Sequence, residues 1–165
     1  MIEGFSLPKA TFRTRAFDES KMEYYWLDKT TDDYFKGKRV VLFSLPGAFT
    51  PTCSAKHLPG FVEYANDIIS KGVDEIICIS VNDPFVMNAW GKENKVTNKI
   101  IMMSDPFLNF TKAIGAEVDK STRGLGMRSN RYTMLIDDLS VIKIREEKET
   151  GSCEISAAEN FLKLI

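Results

Sequence analysis

The sequence predicts an α/β fold in which a central mixed β-sheet is flanked by helices on both faces. Residues 39–45 and 75–81 are continuous apolar runs rich in β-branched residues, which is typical of strands buried on both faces. Each run is followed by a segment that carries helix-start signals, so the chain contains βαβ units. A length of 165 residues fits one domain spanning residues 1–165.

The segment before the first buried run contains two short strand candidates. The clearer one is residues 22–27, which includes the aromatic residues Tyr24, Tyr25 and Trp26. Residues 28–38 are interpreted as a turn. We therefore expect an N-terminal β extension to the central sheet.

A helix is predicted directly after the first buried strand. Thr50 supplies a capping hydroxyl, and Pro51 suits the first helical position. Apolar residues then follow at helical spacing: Leu58, Phe61, Val62, Ala65, Ile68 and Ile69. Pro59 falls inside this stripe and cannot donate to the helical ladder, so we predict a kink within residues 55–59.

The rest of the chain continues the alternation of helices and strands and ends in a hairpin and a helix. The predicted elements are a helix over 84–95, a strand over 100–103, a helix over 107–114, hairpin strands over 131–136 and 141–144, and a helix over 156–165 with Ser156 as its cap. Residues 145–153 are interpreted as a surface loop. This order predicts a thioredoxin-like fold with an added N-terminal β extension.

Composition excludes several classes of protein. The net charge of −1 gives no electrostatic argument for binding nucleic acid or an anionic membrane. No apolar stretch approaches the roughly 20 residues that span a bilayer, and the first residues lack a signal-peptide core. Three scattered cysteines suit a reducing compartment rather than a disulfide scaffold. We expect a cytoplasmic protein, with an organellar matrix as the alternative if a transit peptide has been removed.

Cys53 is the residue most suited to chemistry. If Thr50 caps the helix, the Cys53 thiol lies in the first turn, where unpaired N–H groups and the positive end of the helix dipole favour a thiolate. This turn also follows the carboxyl end of a central strand, where open α/β sheets bind ligands. The structural alternative is a buried core cysteine, which is the more common state of a free cysteine.

The spacing Thr50-x-x-Cys53 distinguishes two kinds of thiol chemistry. A disulfide exchanger would carry Cys-x-x-Cys at this helix start, but no second thiol is present here. A hydroxyl in that position can instead hydrogen-bond an oxygen substrate beside the sulfur. The pattern therefore favours attack on a peroxide, which leaves a sulfenic acid on Cys53.

The segment PGAFTPTCSAKHLPGF, residues 46–61, resembles the Pro-x-x-x-Thr-x-x-Cys signature of peroxiredoxins, and more narrowly the type II or peroxiredoxin-5 subfamily. The similarity continues through residues 77–90 and 124–138. It implies that Cys53 is the peroxidatic cysteine, that Thr50 aligns the peroxide and that Pro46 shields the pocket. It also implies an arginine that stabilises the thiolate and the developing charge on oxygen.

Three arginines lie in one stretch and could fill that last role. The resemblance places the catalytic arginine at Arg131, at the start of a predicted strand. Arg128 is expected in the preceding loop, and Arg123 is interpreted as a solvated surface charge.

The other two cysteines decide how Cys53 would be reduced. Cys78 lies in a buried strand and is interpreted as a small core residue. Some members of the resembled subfamily carry a resolving cysteine near Cys153, about two positions away. We therefore favour one-cysteine chemistry with glutathione or glutaredoxin as reductant. The alternatives are an atypical two-cysteine peroxidase resolved by Cys153 and reduced by thioredoxin, or a redox sensor that does not turn over.

The remaining candidates are assigned to packing or association. His57 is interpreted as a helix-packing histidine rather than a general base. One histidine and three separated cysteines do not form a metal ligand set, and no cofactor is expected. The resemblance implies a homodimer, which we expect to form through the loops near Phe49, Phe85 and Met127.

Overall fold

The computed structural model describes residues 1–96 and 98–165, with only the backbone of Phe17. In chain order the elements are β1 (Thr11–Asp18), β2 (Glu23–Thr30), α1 (Thr31–Phe35), β3 (Arg39–Ser44), a π-turn (Cys53–His57), α2 (Leu58–Glu63), α3 (Ala65–Ser70), β4 (Glu75–Ser80), α4 (Pro84–Glu93), β5 (Ile100–Ser104), α5 (Asn109–Ala113), β6 (Glu117–Asp119), a 3-10 turn (Ser121–Arg123), β7 (Met127–Ser129), β8 (Tyr132–Asp137), β9 (Ser140–Glu146) and α6 (Ala158–Leu162).

The central sheet has the strand order β5-β4-β3-β8-β9. Strand β3 pairs in parallel with β4, and β4 with β5, whereas β8 is antiparallel to both β3 and β9. The sheet is therefore mixed, as the sequence predicts, because the two βαβ units are followed by a hairpin. The carboxyl ends of β3 and β4 lie side by side at one edge, where the segment containing Cys53 begins.

Each face of the sheet packs against its own apolar cluster. Phe43 and Phe61 stack in the cluster that also contains Cys53, with ring centroids 3.9 Å apart. The opposite cluster contains Phe12, which contacts Phe110 across a centroid distance of 5.6 Å. Burial of both faces explains why β3 and β4 are continuous apolar runs instead of alternating ones.

The N-terminal extension is a separate two-stranded hairpin of β1 and β2. The segment that we interpreted as a turn over residues 28–38 contains the short helix α1, so that interpretation is wrong in part. The Thr30 hydroxyl accepts from the backbone N–H of Asp33, and the Asp33 carboxylate accepts from the N–H of Thr30. This reciprocal capping box was present in the sequence and stabilises the helix start.

The helix after β3 is irregular where Pro59 predicts a kink. The Leu58 N–H donates to the Cys53 carbonyl, five residues earlier in the chain. This hydrogen bond forms a π-turn, which is wider than an α-helical turn, immediately before Pro59. A second break at Tyr64, with φ −91° and ψ 9°, separates α2 from α3 and was not predicted. In the described part of the chain, no helix has the length and apolar character that a membrane crossing needs.

Candidate active site

Cys53 lies in the first turn of the helix that follows β3. The helix begins at Pro51, and the Thr50 carbonyl accepts from the Ser54 N–H at 3.0 Å, so the predicted boundary agrees with the structure. The expected capping by the Thr50 hydroxyl is wrong, since among the described residues no backbone N–H donates to this hydroxyl, which itself donates to the Gly47 carbonyl at 2.7 Å. The Cys53 side chain is buried, with 1% of the residue exposed.

Arg131 contacts the Cys53 sulfur directly. Its Nη2 lies 3.3 Å from the Cys53 Sγ, and its Nη1 lies 3.0 Å from the Nδ1 of His57. The Thr150 carbonyl accepts from both Nε and Nη2 of the same guanidinium, at 3.2 and 2.8 Å. Arg131 is only 1% exposed, so these contacts fix its orientation in a buried position.

The partners of Arg131 determine the electrostatics of the site. Its four hydrogen bonds end on a carbonyl, a ring nitrogen and a sulfur, and none ends on a carboxylate. A buried guanidinium is costly unless an anion compensates it. The Cys53 sulfur is the group in hydrogen-bond contact with Arg131 that could carry a compensating negative charge.

His57 contacts the Nη1 atom of Arg131, next to the Nη2 atom that contacts the sulfur. Because a guanidinium can only donate, His57 Nδ1 must accept, and Nε2 then donates to the Ser156 carbonyl at 3.2 Å. Burial and the Arg131 charge together lower the pKa of His57 from 6.5 to about 3. His57 is therefore neutral at physiological pH and orients Arg131. The imidazole ring of His57 also packs edge-on against Phe43 and Phe61.

The 147–156 loop is organised around the carboxylate of Glu147. One oxygen, Oε1, accepts from the N–H of Glu154 at 2.6 Å and from the N–H and hydroxyl of Ser156 at 2.9 and 2.8 Å. Partial burial acts to raise the pKa of Glu147, but the hydrogen bonds from Ser156 and Glu154, together with the Arg131 charge, outweigh burial and lower it. The carboxylate thus remains ionised and closes the loop that presents the Thr150 carbonyl.

These contacts correct two predictions about the C-terminal region. Ser156 does not cap the last helix, whose N-cap is Ala157, because both its N–H and its hydroxyl are bound to Glu147. The polar segment interpreted as a surface loop contributes a carbonyl that binds the buried Arg131.

Arg128 binds the backbone of the segment that contains Pro46. The prediction that it lies in a loop is wrong, since Arg128 is the central residue of β7. Its guanidinium donates to the carbonyls of Leu125, Pro46 and Val81 at 2.9, 3.4 and 3.1 Å. A Cβ on Gly47 would lie 3.0 Å from the Arg128 Nη1, so a residue without a side chain fits this close approach.

A pocket of about 310 Å³ opens beside Cys53. Its lining is Pro46, Thr50, Pro51, Thr52, Lys120, Arg123, Leu125, Arg131, Thr150 and Gly151. Arg123 is exposed as expected, but it lines this pocket and is not simply a remote surface charge. A larger cavity of about 610 Å³ lies against the β1–β2 hairpin and α5, and it contains none of the predicted catalytic residues.

The structure separates the three cysteines by environment, and all three are free thiols. Cys78 is buried in the middle of β4 beside Phe43, and burial raises its pKa. Cys153 is half-buried in the 147–156 loop. Burial raises its pKa, although the Arg131 charge acts in the opposite direction.

Four contributors to the site were not predicted from the sequence. Glu147 and Lys120 look like ordinary surface charges, and Thr150 contributes a backbone atom that no side-chain pattern reveals. Thr52, whose hydroxyl donates to the Gly151 carbonyl at 3.2 Å, connects the Cys53 turn to the 147–156 loop. Its only sequence signal is its position directly before Cys53.

The comparisons with known proteins agree with this geometry. Residues 19–162 match the profile of the Redoxin family. Peroxiredoxin-2B of Arabidopsis thaliana is 49% identical, over 78% of this chain and 79% of its own length. A reduced Prx3 from Vibrio vulnificus, solved in complex with hydrogen peroxide, is 41% identical with a TM-score of 0.87, covering 99% of this chain and 95% of that one. An antioxidant protein from Plasmodium falciparum, described as a 1-Cys peroxiredoxin, is 30% identical with a TM-score of 0.91 and 98% coverage of both chains. The chain therefore belongs to the Redoxin family as a peroxiredoxin of the type II/Prx5 group, a peroxidase with a thioredoxin-like fold.

Proposed function

We propose that this peroxidase reduces hydrogen peroxide and small organic hydroperoxides through a sulfenic acid on Cys53. The observation that carries the proposal is the 3.3 Å contact between the Cys53 sulfur and the buried guanidinium of Arg131, which has no carboxylate partner among its hydrogen bonds. An anionic sulfur beside a fixed cation is both a nucleophile and part of an oxyanion site.

The first step transfers one oxygen to sulfur. The Cys53 thiolate attacks the nearer peroxide oxygen, the S–O bond forms as the O–O bond breaks, and the other oxygen leaves as water or an alcohol after taking a proton. Arg131 can donate to the oxygen that gains negative charge. The Thr50 hydroxyl donates its hydrogen bond to the Gly47 carbonyl. The oxygen lone pairs of this hydroxyl can therefore accept from the peroxide O–H and align the peroxide.

The Pro46 side of the site would exclude water. Pro46 is buried, lines the pocket and has no N–H that could bind solvent. Excluding water strengthens the attraction between Arg131 and the charges that develop during the reaction.

For the second half of the cycle we favour an external thiol, such as glutathione or glutaredoxin. Attack by Cys153 would require its thiolate, and burial raises the pKa of that thiol. The similar Plasmodium falciparum protein is described as a 1-Cys enzyme. Cys153 still lies within electrostatic range of Cys53, which keeps a two-cysteine route reduced by thioredoxin as the second candidate.

Cysteine replacement tests the proposal. Cys53→Ser should abolish peroxide consumption, since a hydroxyl at this position is not ionised, whereas the matched control Cys153→Ser should retain it with glutathione or glutaredoxin. Peroxide consumption is followed with glutathione, glutaredoxin and thioredoxin in turn, and disulfides in the oxidised wild type are mapped by mass spectrometry. A Cys53–Cys153 disulfide in most molecules would establish the two-cysteine route. Oxidation of Cys53 without repeated turnover would indicate a redox sensor.

The role of Thr50 has its own test. Thr50→Val keeps the shape of the side chain but removes the acceptor, so the peroxide loses an alignment contact. We expect the rate constant for oxidation of Cys53 by hydrogen peroxide to fall by about 10²-fold. Thr122→Val, at an exposed site outside the pocket lining, serves as the matched control and should keep the wild-type rate.

We also propose a homodimer in the cytoplasm. Phe49, Phe85 and Met127 are 51%, 55% and 39% exposed, and Phe49 has a φ of +62°, a left-handed conformation that costs an L-residue about 1–2 kcal/mol. Exposed large apolar side chains that lie close together are typical of association surfaces. Sedimentation of the reduced protein should give twice the 18.7 kDa of the chain, and Phe85→Glu should shift it to the monomer.

The proposed cytoplasmic location rests on the three free thiols, which fit a reducing compartment. An organellar matrix is the alternative location.

A further inference from the structure

The pocket beside Cys53 has a strongly positive rim. Three of its lining residues are cationic, namely Lys120, Arg123 and Arg131, and none is acidic. The whole chain has a net charge of −1, so this concentration of positive charge is local. Clefts lined by one sign of charge raise the local concentration of ligands with the opposite sign.

Lys120 and Arg123 are held at fixed positions by the loop that joins β6 to β7. The Lys120 carbonyl accepts from the N–H groups of Arg123 and Leu125 at 2.9 and 3.2 Å. The Lys120 N–H donates to the Gly126 carbonyl at 2.9 Å. Gly124 has a φ of +73°, which ends the 3-10 turn in a conformation that favours glycine. The two cations therefore lie at the start and end of one short, internally bonded turn.

Among the described residues, the hydrogen bonds that anchor this loop lead to the ends of sheet strands, and none reaches the Cys53 helix. Arg128 in β7 donates to the carbonyls of Pro46 and Val81, which follow β3 and β4. The positive rim can thus keep its position while the first turn of the helix moves.

Neither rim cation has a carboxylate partner in the part of the chain that the structure describes. The adjacent Asp119 caps the turn by accepting from the N–H of Ser121 at 2.7 Å. Arg131, by contrast, is committed to the sulfur and the Thr150 carbonyl. Lys120 and Arg123 are consequently available to a ligand.

We propose that Lys120 and Arg123 form an anion subsite for the carboxylate of a low-molecular-mass thiol that reduces Cys53. The inference rests on the proposed function and specifies the reductant class for that site. A pocket of about 310 Å³ is at the lower end of small-molecule sites and far larger than the two oxygens of hydrogen peroxide require. The carboxylate would hold the thiol at the rim, with its sulfur directed toward Cys53.

The reductive step balances with two thiols. The first thiol attacks the Cys53 sulfenic sulfur, an S–S bond forms as the S–O bond breaks, and the hydroxyl leaves as water with the thiol proton. The second thiol attacks the mixed disulfide, which releases the Cys53 thiolate and the oxidised thiol pair. Attack must occur opposite the departing oxygen, and Cys53 is 1% exposed, so its helix turn has to shift while the rim stays in place.

The test compares thiols of different charge in the reductive half-reaction. Cys53 is first oxidised with one equivalent of hydrogen peroxide, and stopped-flow measurements then follow reduction by glutathione, 3-mercaptopropionate, 2-mercaptoethanol or cysteamine. The readout is the ratio of each anionic-thiol rate constant to that of neutral 2-mercaptoethanol, corrected for thiolate fraction. In the double variant Lys120→Gln/Arg123→Gln this ratio should fall about tenfold or more at low salt. The fall should shrink as salt screens the rim.

Lys112→Gln removes an exposed cation of α5 outside the pocket lining and should keep the wild-type ratio. A wild-type ratio in the double variant would overturn the proposal. So would a loss confined to oxidation by carboxylate-bearing peroxides, since the subsite would then serve the oxidant. If hydrogen peroxide fails to oxidise wild-type Cys53, the proposed function itself fails, which is a different result.

Discussion

The two loops that flank Cys53 are fastened in different ways. The loop after β3 is held by strand ends: the Ala48 N–H donates to the Asn82 side chain at 2.9 Å, and Arg128 donates to the Pro46 carbonyl. The 147–156 loop is held by the Glu147 carboxylate and by contacts with Arg131 and His57.

The contacts that hold the two loops differ in their sensitivity to pH. An amide and a guanidinium do not change charge between acid and neutral pH, so the first loop keeps its fastening. The second loop depends on an ionised carboxylate and a neutral imidazole, both of which would be protonated in acid. The contacts of the loop that contains Pro46 are therefore constant over this pH range, whereas the loop that orients Arg131 is acid-sensitive.

Replacing Arg131 should have the largest effect, because this residue joins the second loop to the sulfur. Arg131→Lys keeps the charge but cannot reach the sulfur, His57 and Thr150 together. We expect the rate constant for oxidation by hydrogen peroxide to fall by about 10²–10³-fold. Stopped-flow fluorescence measures it, with the exposed Arg13→Lys as control. A wild-type rate in Arg131→Lys would show that charge alone is sufficient.

His57 should make the stability of the fold depend on pH. Its pKa falls from 6.5 to about 3 on folding, so the unfolded chain binds the extra proton and stability declines as pH falls from about 6.5 toward 3. Between pH 7.5 and pH 5 the free energy of unfolding should drop by roughly 2 kcal/mol. His57 is the single histidine, so His57→Gln should flatten this dependence in urea titrations. If the pH dependence of the unfolding free energy were the same in the variant as in the wild type, His57 would be protonated in the folded protein as it is in the unfolded chain.

Glu147→Gln should have the smallest effect of the three. Glutamine can still accept hydrogen bonds from Ser156, but they lose their charge assistance, so the unfolding free energy should fall by about 1 kcal/mol. In the wild type the lowered pKa of Glu147 gives a contribution that is present above its usual value of 4.5 and is lost in stronger acid. Hydrogen exchange of the Ser156 amide should accelerate in the variant. The exposed Glu149→Gln is the control, and equal exchange in both variants would contradict this role.

The sequence predicted the parts of this molecule that depend on local patterns. The buried runs gave β3 and β4, Thr50-Pro51 gave the helix start, and Pro59 gave the irregular helix. These features follow from periodicity and backbone chemistry, which neighbouring residues determine. The resemblance of residues 46–61 to a known signature then identified Cys53 as the candidate nucleophile.

The parts that were missed depend on contacts between distant residues. Glu147 and Ser156 meet because a loop folds back on itself, and the Lys120 side chain reaches the pocket only after β6 pairs with β7. The three-residue strands β6 and β7 are too short to give a periodic signal. The capping box at Thr30 and Asp33 was readable, and it was overlooked because the surrounding segment resembles a turn.

Because Cys53 and His57 lie at the two ends of the π-turn, their alignment depends on the number of residues in that turn. Its wide Leu58-to-Cys53 hydrogen bond accommodates one residue more than an α-helical turn, and both side chains meet the same guanidinium. Each residue of an α-helix advances by about 100°, so removing one residue here would rotate the thiol away from Arg131 even if every side chain in the pocket were kept. Insertions and deletions within residues 53–57 should therefore be far less tolerated than substitutions, which makes the length of this segment a criterion for recognising functional variants of the chain.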